Sequence, residues 1–263
     1  MDLGLAGKVA VVAASSQGLG RAIAHELAAE GASIVMCARH EARLRQAGEQ
    51  IAQATGAKVV PVVADVSKPS DIERLADAAR AAFGHVDIVV TNSGGPAPGT
   101  FEGTKPEAWQ AAFEVVLMSA VELVRAFLPG MKERRWGRIL NVTSITVKQP
   151  VENLLLSNAL RAAVTGMART LANEVASFGI TVNNLLPGYT RTERLTELAE
   201  VSAARDGTAA ADFYARLERE IPAKRLGDPR ELAALAAFLA GERVGYVTGQ
   251  SIAVDGGWIR SVY

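Results

Sequence analysis

The sequence predicts an α/β fold: a doubly wound parallel sheet with helices on both faces, built as a single domain. Three observations carry this. Apolar runs of strand length alternate with longer segments of helical period along the 263 residues, the rhythm that right-handed βαβ crossovers produce. The strand-like runs are apolar nearly throughout, as strands buried on both faces are. Gly18 and Gly20 fall between the first such run and the helical segment after it, where the chain must turn tightly.

The elements follow in order. "KVAVVAA" is the first strand, and the Ala-rich stretch 18–30 is its helix. "SIVMCA" is the second, followed by a helix from about Glu41. "KVVPVVAD" precedes a helix over 67–83, and "VDIVVTN" closes the first half. In the second half a helix over 109–128 leads to the strand "GRILNVTS", and a helix over 158–178 leads to "ITVNNLL". Gly31, Gly84 and Gly179 stand at helix exits, where left-handed backbone ends a helix at least cost. Asp or Ser is expected to cap several helix starts. Only 189–222 breaks the rhythm: it is polar, charged and helix-prone, and contains "AARDGTAAAD". An insertion after a late strand reads as a mobile lid over the strand ends, inside one domain spanning 1–263.

Composition excludes several function classes. Apolar residues make up 49% of the chain, enough for a large core, and 28 basic residues balance 28 acidic ones. No bulk charge therefore draws the protein to nucleic acid or an acidic membrane, and the basic stretch "MKERRWGR" reads as a solvated loop. The N-terminal apolar run is too short to span a bilayer and lacks the features of a signal peptide, which predicts a cytoplasmic protein. The one cysteine, Cys37, lies in an apolar run and reads as a buried thiol. His25, His40 and His85 lie far apart, so no metal centre is expected.

"VVAASSQGLGRAIAHELA" carries the first functional signal. Glycines between a strand and a helix let backbone approach a pyrophosphate, and the helix N-terminus supplies N–H donors and a positive dipole end. With it the chain resembles the short-chain dehydrogenase/reductases, a family with a Rossmann-type sheet, and the resemblance runs essentially the whole length. The family's TGxxxGxG appears as "AASSQGLG", with Ala13 and Ala14 for the Thr and first Gly. Its adenine-side acid appears as Asp65, followed by Val66, its NNAG turn as "TNSG" (Asn92, Ser93, Gly94), and its PG motif as "PGYTRT". "YVTGQSIAVDGG" matches its C-terminal signature. The resemblance implies an NAD(P) pocket formed by Ala14, Ser16, Gln17, Gly18, Leu19, Gly20, Arg39, Asp65, Val66, Asn92, Ser93, Gly94, Arg161, Pro187, Gly188, Thr190 and Thr192. The Ala14 departure is expected to be mild, one methyl shifting the turn without filling the pocket.

At the end of the second strand an acidic residue would accept from ribose hydroxyls and select NAD. Here Arg39 stands instead, able to pair with a 2′-phosphate, and Ser16 adds a donor. Gln17 occupies a position where many NADP-preferring relatives carry a second base. NADP is thus expected over NAD, with a solvated Arg39 as the other reading.

The family's proton relay is where this chain departs. Aligned on Ser144, the tyrosine position thirteen residues on is Ser157, and the lysine position four further is Arg161. The position of the family's relay asparagine is Val116. The four tyrosines are Tyr189, Tyr214, Tyr246 and Tyr263, so no small frame shift restores one to this helix. A serine hydroxyl is a far weaker acid than tyrosine, whose pKa starts near ~10, and a guanidinium holds its proton near neutrality. Three changes in one relay read as its loss as a unit. Replacement donors would be Tyr189, after the PG turn, or Lys148; each also reads as an ordinary lid or loop residue, and Ser144 as a strand-end cap.

Two readings stay open. One is an NADP(H)-dependent oxidoreductase moving hydride to or from a small carbonyl, hydroxyl or activated C=C or C=N substrate, with catalysis at Ser144, Ser157, Arg161 and Tyr189. The other is a cofactor-binding pseudoenzyme, a sensor or non-catalytic subunit. The resemblance also implies a homotetramer or dimer built on the helices over 109–128 and 158–178 and the C-terminal strand. Arg191, Arg194, Arg216 and Arg219 of the lid could welcome an acidic group, or simply be solvated.

Overall fold

The computed structural model describes residues 2–262. Seven parallel strands form one sheet in the order β3-β2-β1-β4-β5-β6-β7. The strands are β1 Val9–Val12, β2 Ser33–Ala38, β3 Val59–Val63, β4 Ile88–Thr91, β5 Gly137–Val142, β6 Ile180–Pro187 and β7 Ser251–Val254. Chain direction across the sheet reverses between β1 and β4, and a crevice opens at such a switch point beyond the strand C-termini.

Alternate strand residues feed two cores. On one face Val12, Met36, Val90 and Leu140 pack under α1 (Gly18–Ala29), α2 (Glu41–Thr55) and α9 (Pro229–Ala240). On the other, Val11, Val35, Val89, Ile139 and Val182 pack under α3 (Pro69–Phe83), α5 (Ser119–Arg134) and α6 (Leu155–Val175). Burial on both faces explains the unbroken apolar runs. Cys37 lies in the second core, where burial pushes its thiol up to about 12.

Several expectations need correction. The helix expected over 67–83 begins at Pro69, whose fixed φ suits the first turn. Asp or Ser capping is rarer than expected: α1, α2 and α3 follow Gln17, His40 and Lys68, with no side-chain cap. Only Asp228 before α9 and Thr192 before α7 cap as side chains among the long helices. The helix expected over 109–128 is broken into α4 (Pro106–Ala112), a π turn (Phe113–Met118) and α5. Val116 lies in that π turn and packs with Leu156, Leu160 and Val164 of α6. Segment 189–222 holds two helices, α7 (Glu193–Asp206) and α8 (Ala210–Glu220). Helix α9 has no counterpart in the sequence reading.

A buried polar row crosses the sheet beside the crevice. Thr91 Oγ1 donates to Asn141 Oδ1 (2.7 Å), Asn141 Nδ2 to Asn184 Oδ1 (3.0 Å), and Asn184 Nδ2 to Ser251 Oγ (3.0 Å). These residues are register partners on β4 to β7. Each amide satisfies the next, so the low dielectric strengthens the row instead of penalising it.

Candidate active site

A cleft of about 950 Å³ runs along the strand C-termini. It is lined by Ala14, Ser16, Gln17, Gly18 and Leu19 after β1, Arg39 after β2, and Asp65 and Val66 after β3. Asn92, Ser93 and Gly94 follow from β4, Ser144 from β5, Ser157 and Arg161 from α6, and Pro187, Gly188, Tyr189, Thr190 and Thr192 from β6. The residues expected to hold the dinucleotide, with Ser144, Ser157 and Tyr189, thus meet in one place, Gly20 excepted. Gly20 lies behind the wall, where a Cβ would sit 2.4 Å from the Ala14 carbonyl oxygen and 2.8 Å from Asn92 Nδ2.

At the glycine turn the first intrahelical bond is donated by Arg21 N–H to the Gln17 carbonyl (3.3 Å). The N–H groups of Gly18, Leu19 and Gly20 precede it and face no side-chain cap, which makes this helix start an anion cradle. Asn92 Nδ2 donates to Ala14 O (3.4 Å), tying the β4 turn to the β1 turn. Ala14 takes a left-handed backbone, at φ +46°. The alanine bears roughly 1–2 kcal/mol of strain there that a glycine would not.

The adenine-side end is basic. Arg39 and His40 are exposed on the cleft wall, and Arg43, one helical turn on, joins them. Arg43 Nη1 donates to Gln17 Oε1, so the second base absent at position 17 is brought from α2 and held against that glutamine. Sequence reading missed Arg43: Arg39 precedes α2, so no helical spacing links the two in the sequence. Asp65 uses Oδ1 to accept from Ser67 N–H (3.1 Å) and Oγ (2.8 Å), so the carboxylate is fixed by its own turn. Gly188 must be glycine for a packing reason: a Cβ there would lie 2.6 Å from the Asp255 Cα at the end of β7.

The reacting end is built on β5 and α6. Ser144 caps the short 3-10 turn Ile145–Val147, its Oγ accepting from Thr146 N–H (3.1 Å). Ser144 thus serves as a turn cap, and its hydroxyl proton has no acceptor among the described residues. Arg161 reaches back to the sheet, where Nη1 donates to the carbonyls of Val142 and Thr143, each at 3.0 Å. Burial, and then the charge of Arg194, lower the Arg161 guanidinium to about 10. Thr146 Oγ1 is buried in the cleft wall with no hydrogen-bond partner.

The replacement donors fare worse. The Tyr189 ring stands edge-on to Trp258 at 5.5 Å within the lid's apolar cluster. Burial, and then Glu220 of α8, push its phenol up to about 12. A phenol so placed is a weaker acid than a free tyrosine, and the charges acting on it, Glu220 and Arg216, come from α8. Lys148 is exposed and does not line the cleft. Of the lid arginines, Arg191 pairs with Glu218 beside a second hollow of about 920 Å³, and Arg216 lies over the Phe213 ring. Only Arg194 enters the main cleft. The basic stretch near 131–138 is taken up structurally, with Arg138 donating to the Gly137, Gly179 and Gly241 carbonyls.

This architecture has close counterparts. The family model described as enoyl-(acyl carrier protein) reductase matches residues 13–259. A short-chain type dehydrogenase/reductase from Mycobacterium marinum superposes with a TM-score of 0.89 at 29% identity, covering 99% of both chains. The chain belongs to the short-chain dehydrogenase/reductase family. L-sorbose reductase of Gluconobacter frateurii, complexed with NADPH and L-sorbose, is 36% identical with a TM-score of 0.94 and full coverage of both chains. The 3-oxoacyl-[acyl-carrier-protein] reductase of Vibrio cholerae is 36% identical over 255 residues, 97% of this chain and 98% of that one. The protein is accordingly an NAD(P)-dependent short-chain oxidoreductase acting at a carbonyl or hydroxyl.

The residues present fit the dinucleotide. Gly20 keeps the turn open, three N–H donors stand free at the start of α1, and basic side chains crowd the ribose end. In this short-chain enzyme Gly18–Gly20 would hold the pyrophosphate, and Asn92 to Gly94 the middle of the molecule.

Proposed function

We propose that the protein is an NADP(H)-dependent oxidoreductase that moves hydride, without a phenolic proton donor, to or from a small carbonyl, hydroxyl or activated C=C or C=N compound. The nicotinamide, when bound, would supply hydride to the unsaturated substrate or accept it from the hydroxyl. The observation that carries the reading is the Ser144–Arg161 pair on one cleft wall. The Ser144 hydroxyl accepts from Thr146 N–H and keeps its own proton for a substrate oxygen. Arg161, held by two strand-end carbonyls, sets a fixed positive charge beside it.

Charge developing on the substrate oxygen is then stabilised electrostatically, and the proton that completes reduction comes from water. Preorganised donors of this kind are worth about 3–4 kcal/mol, comparable to the general acid they replace, at ~10²- to 10⁴-fold. Ser157 lines the cleft as a small polar wall where a ring would otherwise fill space. Tyr189 is assigned to the lid's packing. The preference for NADP rests on Arg39 and Arg43, two cations on the wall where a 2′-phosphate would lie. Helices α7 and α8 act as a lid, Thr192 capping α7 directly over the glycine turn. We further infer a homo-oligomer through α6, whose exposed Ala159, Ala162, Ala163 and Gly166 form an uncharged face.

The test is a titration with NADPH and NADH by nucleotide fluorescence, followed by a hydride-acceptor screen spanning ketones, enones and imines. NADPH-selective binding with turnover, reduced at least 100-fold in Arg161→Gln, supports the reading. Tight binding with no turnover on any acceptor returns the chain to the non-catalytic reading.

A further inference from the structure

We infer that Arg161 and Arg194 form a receptor for a carboxylate, so that the substrate is a short oxo or hydroxy acid rather than a neutral ketone. This deepens the oxidoreductase reading above and rests on it. Arg161 spends Nη1 on the Val142 and Thr143 carbonyls, while Nε and Nη2 have no partner among the described residues. No carboxylate pairs with it there. The acids on the cleft wall are committed elsewhere: Asp65 to Ser67, Glu114 to Gln110 and Glu197 to Arg194. Glu193 lies over the glycine turn, its Oε2 3.3 Å from where a Gly18 Cβ would sit.

Arg194 comes from the segment after β6. It is the second residue of α7, and its Nη2 donates to the Pro96 carbonyl (2.7 Å), fixing the lid to the loop after β4. The fit is close enough that a Cβ on Gly95 would meet Nε at 3.0 Å. Its one acid, Glu197, is a half-exposed partner at 3.2 Å, and such pairs contribute little. The charge that bears on half-buried Arg161 is thus that of a second cation. Charges drawn out of water are normally paired, and Arg161 has no anionic partner among the described residues.

The dinucleotide does not supply it. Its pyrophosphate belongs at the α1 start beyond β1, and β5, which anchors Arg161, lies two strands away across β4. At the usual strand spacing that separation is roughly 10 Å. The anion therefore belongs to the substrate, on the side of Ser144. A carboxylate between the two guanidiniums would also fix the adjacent carbonyl relative to Ser144, which is the orientation that hydride transfer requires.

The experiment uses oxamate, an unreactive oxo-acid mimic, and its uncharged methyl ester as probes of the NADPH-loaded protein, read by nucleotide fluorescence and calorimetry. Oxamate is expected to bind at least tenfold tighter than the ester. Arg194→Gln is expected to weaken oxamate at least tenfold while changing NADPH affinity less than twofold, and Arg161→Gln to weaken it further. Equal affinity for acid and ester, or an Arg194→Gln protein that holds oxamate as well as the parent, overturns the proposal. Sulfate competing as strongly as oxamate overturns its carboxylate part, leaving a general anion site. Should Arg161→Gln fail to fold, the lid variant carries the test alone. If NADPH does not bind, calorimetry of oxamate with the free protein still decides the anion site, separating its failure from that of the oxidoreductase reading.

Discussion

The two ends of the cleft were built under different constraints. At the dinucleotide end, backbone does the work: a glycine whose side chain would strike a carbonyl, N–H groups left free at a helix start, a left-handed turn kept even where alanine occupies it. At the reacting end, side chains do the work, and there this chain has Ser157, Arg161 and Val116. Backbone geometry tolerates few substitutions, because a Cβ or a φ angle is either accommodated or not. In the π turn of the helix beside the site, Val116 packs on α6 as core.

The contrast can be broken most severely at Gly20. Gly20→Ala is expected to destabilise the fold by about 2 kcal/mol through overpacking and to abolish saturation in an NADPH titration, since the new methyl meets backbone rather than a movable side chain. A nucleotide affinity within threefold of the parent would show that the backbone constraint at this end is weaker than claimed. Beneath the reacting end, Asn141→Leu strands Thr91 and Asn184 in the buried row. Its expected cost is about 2–3 kcal/mol from unsatisfied polar groups, read as a lower urea midpoint at unchanged m-value. At the ribose end, Arg39→Ala and Arg43→Ala should each raise the NADPH Kd about tenfold, or ~1.4 kcal/mol, with NADH affinity unchanged. Equal losses for both nucleotides would reassign these arginines to general attraction.

Arg161 yields a prediction in pH. Burial and Arg194 lower its folded-state value from 12.5 to about 10, so it is charged at neutrality and loses its proton as pH rises through about 10. Oxamate affinity should therefore stay flat from pH 7 to 9 and fall above about 10. The smallest effect expected is a gain. Ala14→Gly relieves the left-handed alanine and should stabilise by about 1 kcal/mol, a rise of roughly 2–4 °C in Tm. No gain would mean that the unfolded-state freedom of glycine cancels the relief.

Much of this was legible in the chain. Strand positions followed from apolar runs, because a parallel sheet buries both faces. The cofactor wall followed from short motifs, because close approach to a phosphate restricts the residue type. Helix α9 did leave a local trace, an Asp228 capping box and an N-terminal proline, and was missed because it follows the polar segment and not a strand. Other features left none. The interruption of the helix near 113–118 has no proline or glycine to announce it. Arg43 could not be placed at the cleft without knowing that α2 starts at Glu41 and turns it toward Gln17.

By itself the sequence determined the sheet, the dinucleotide turn and the absence of a tyrosine thirteen residues after Ser144. These depend on residue type and spacing along one strand or one turn. The tertiary structure alone decided which of several arginines matters. Arg191, Arg194, Arg216 and Arg219 are alike in a polar segment, and only folding sends one to Glu218, one onto a ring and one into the cleft against the Pro96 carbonyl. Charge acts through space, and the distances between segments remote in the chain are set only when the fold closes.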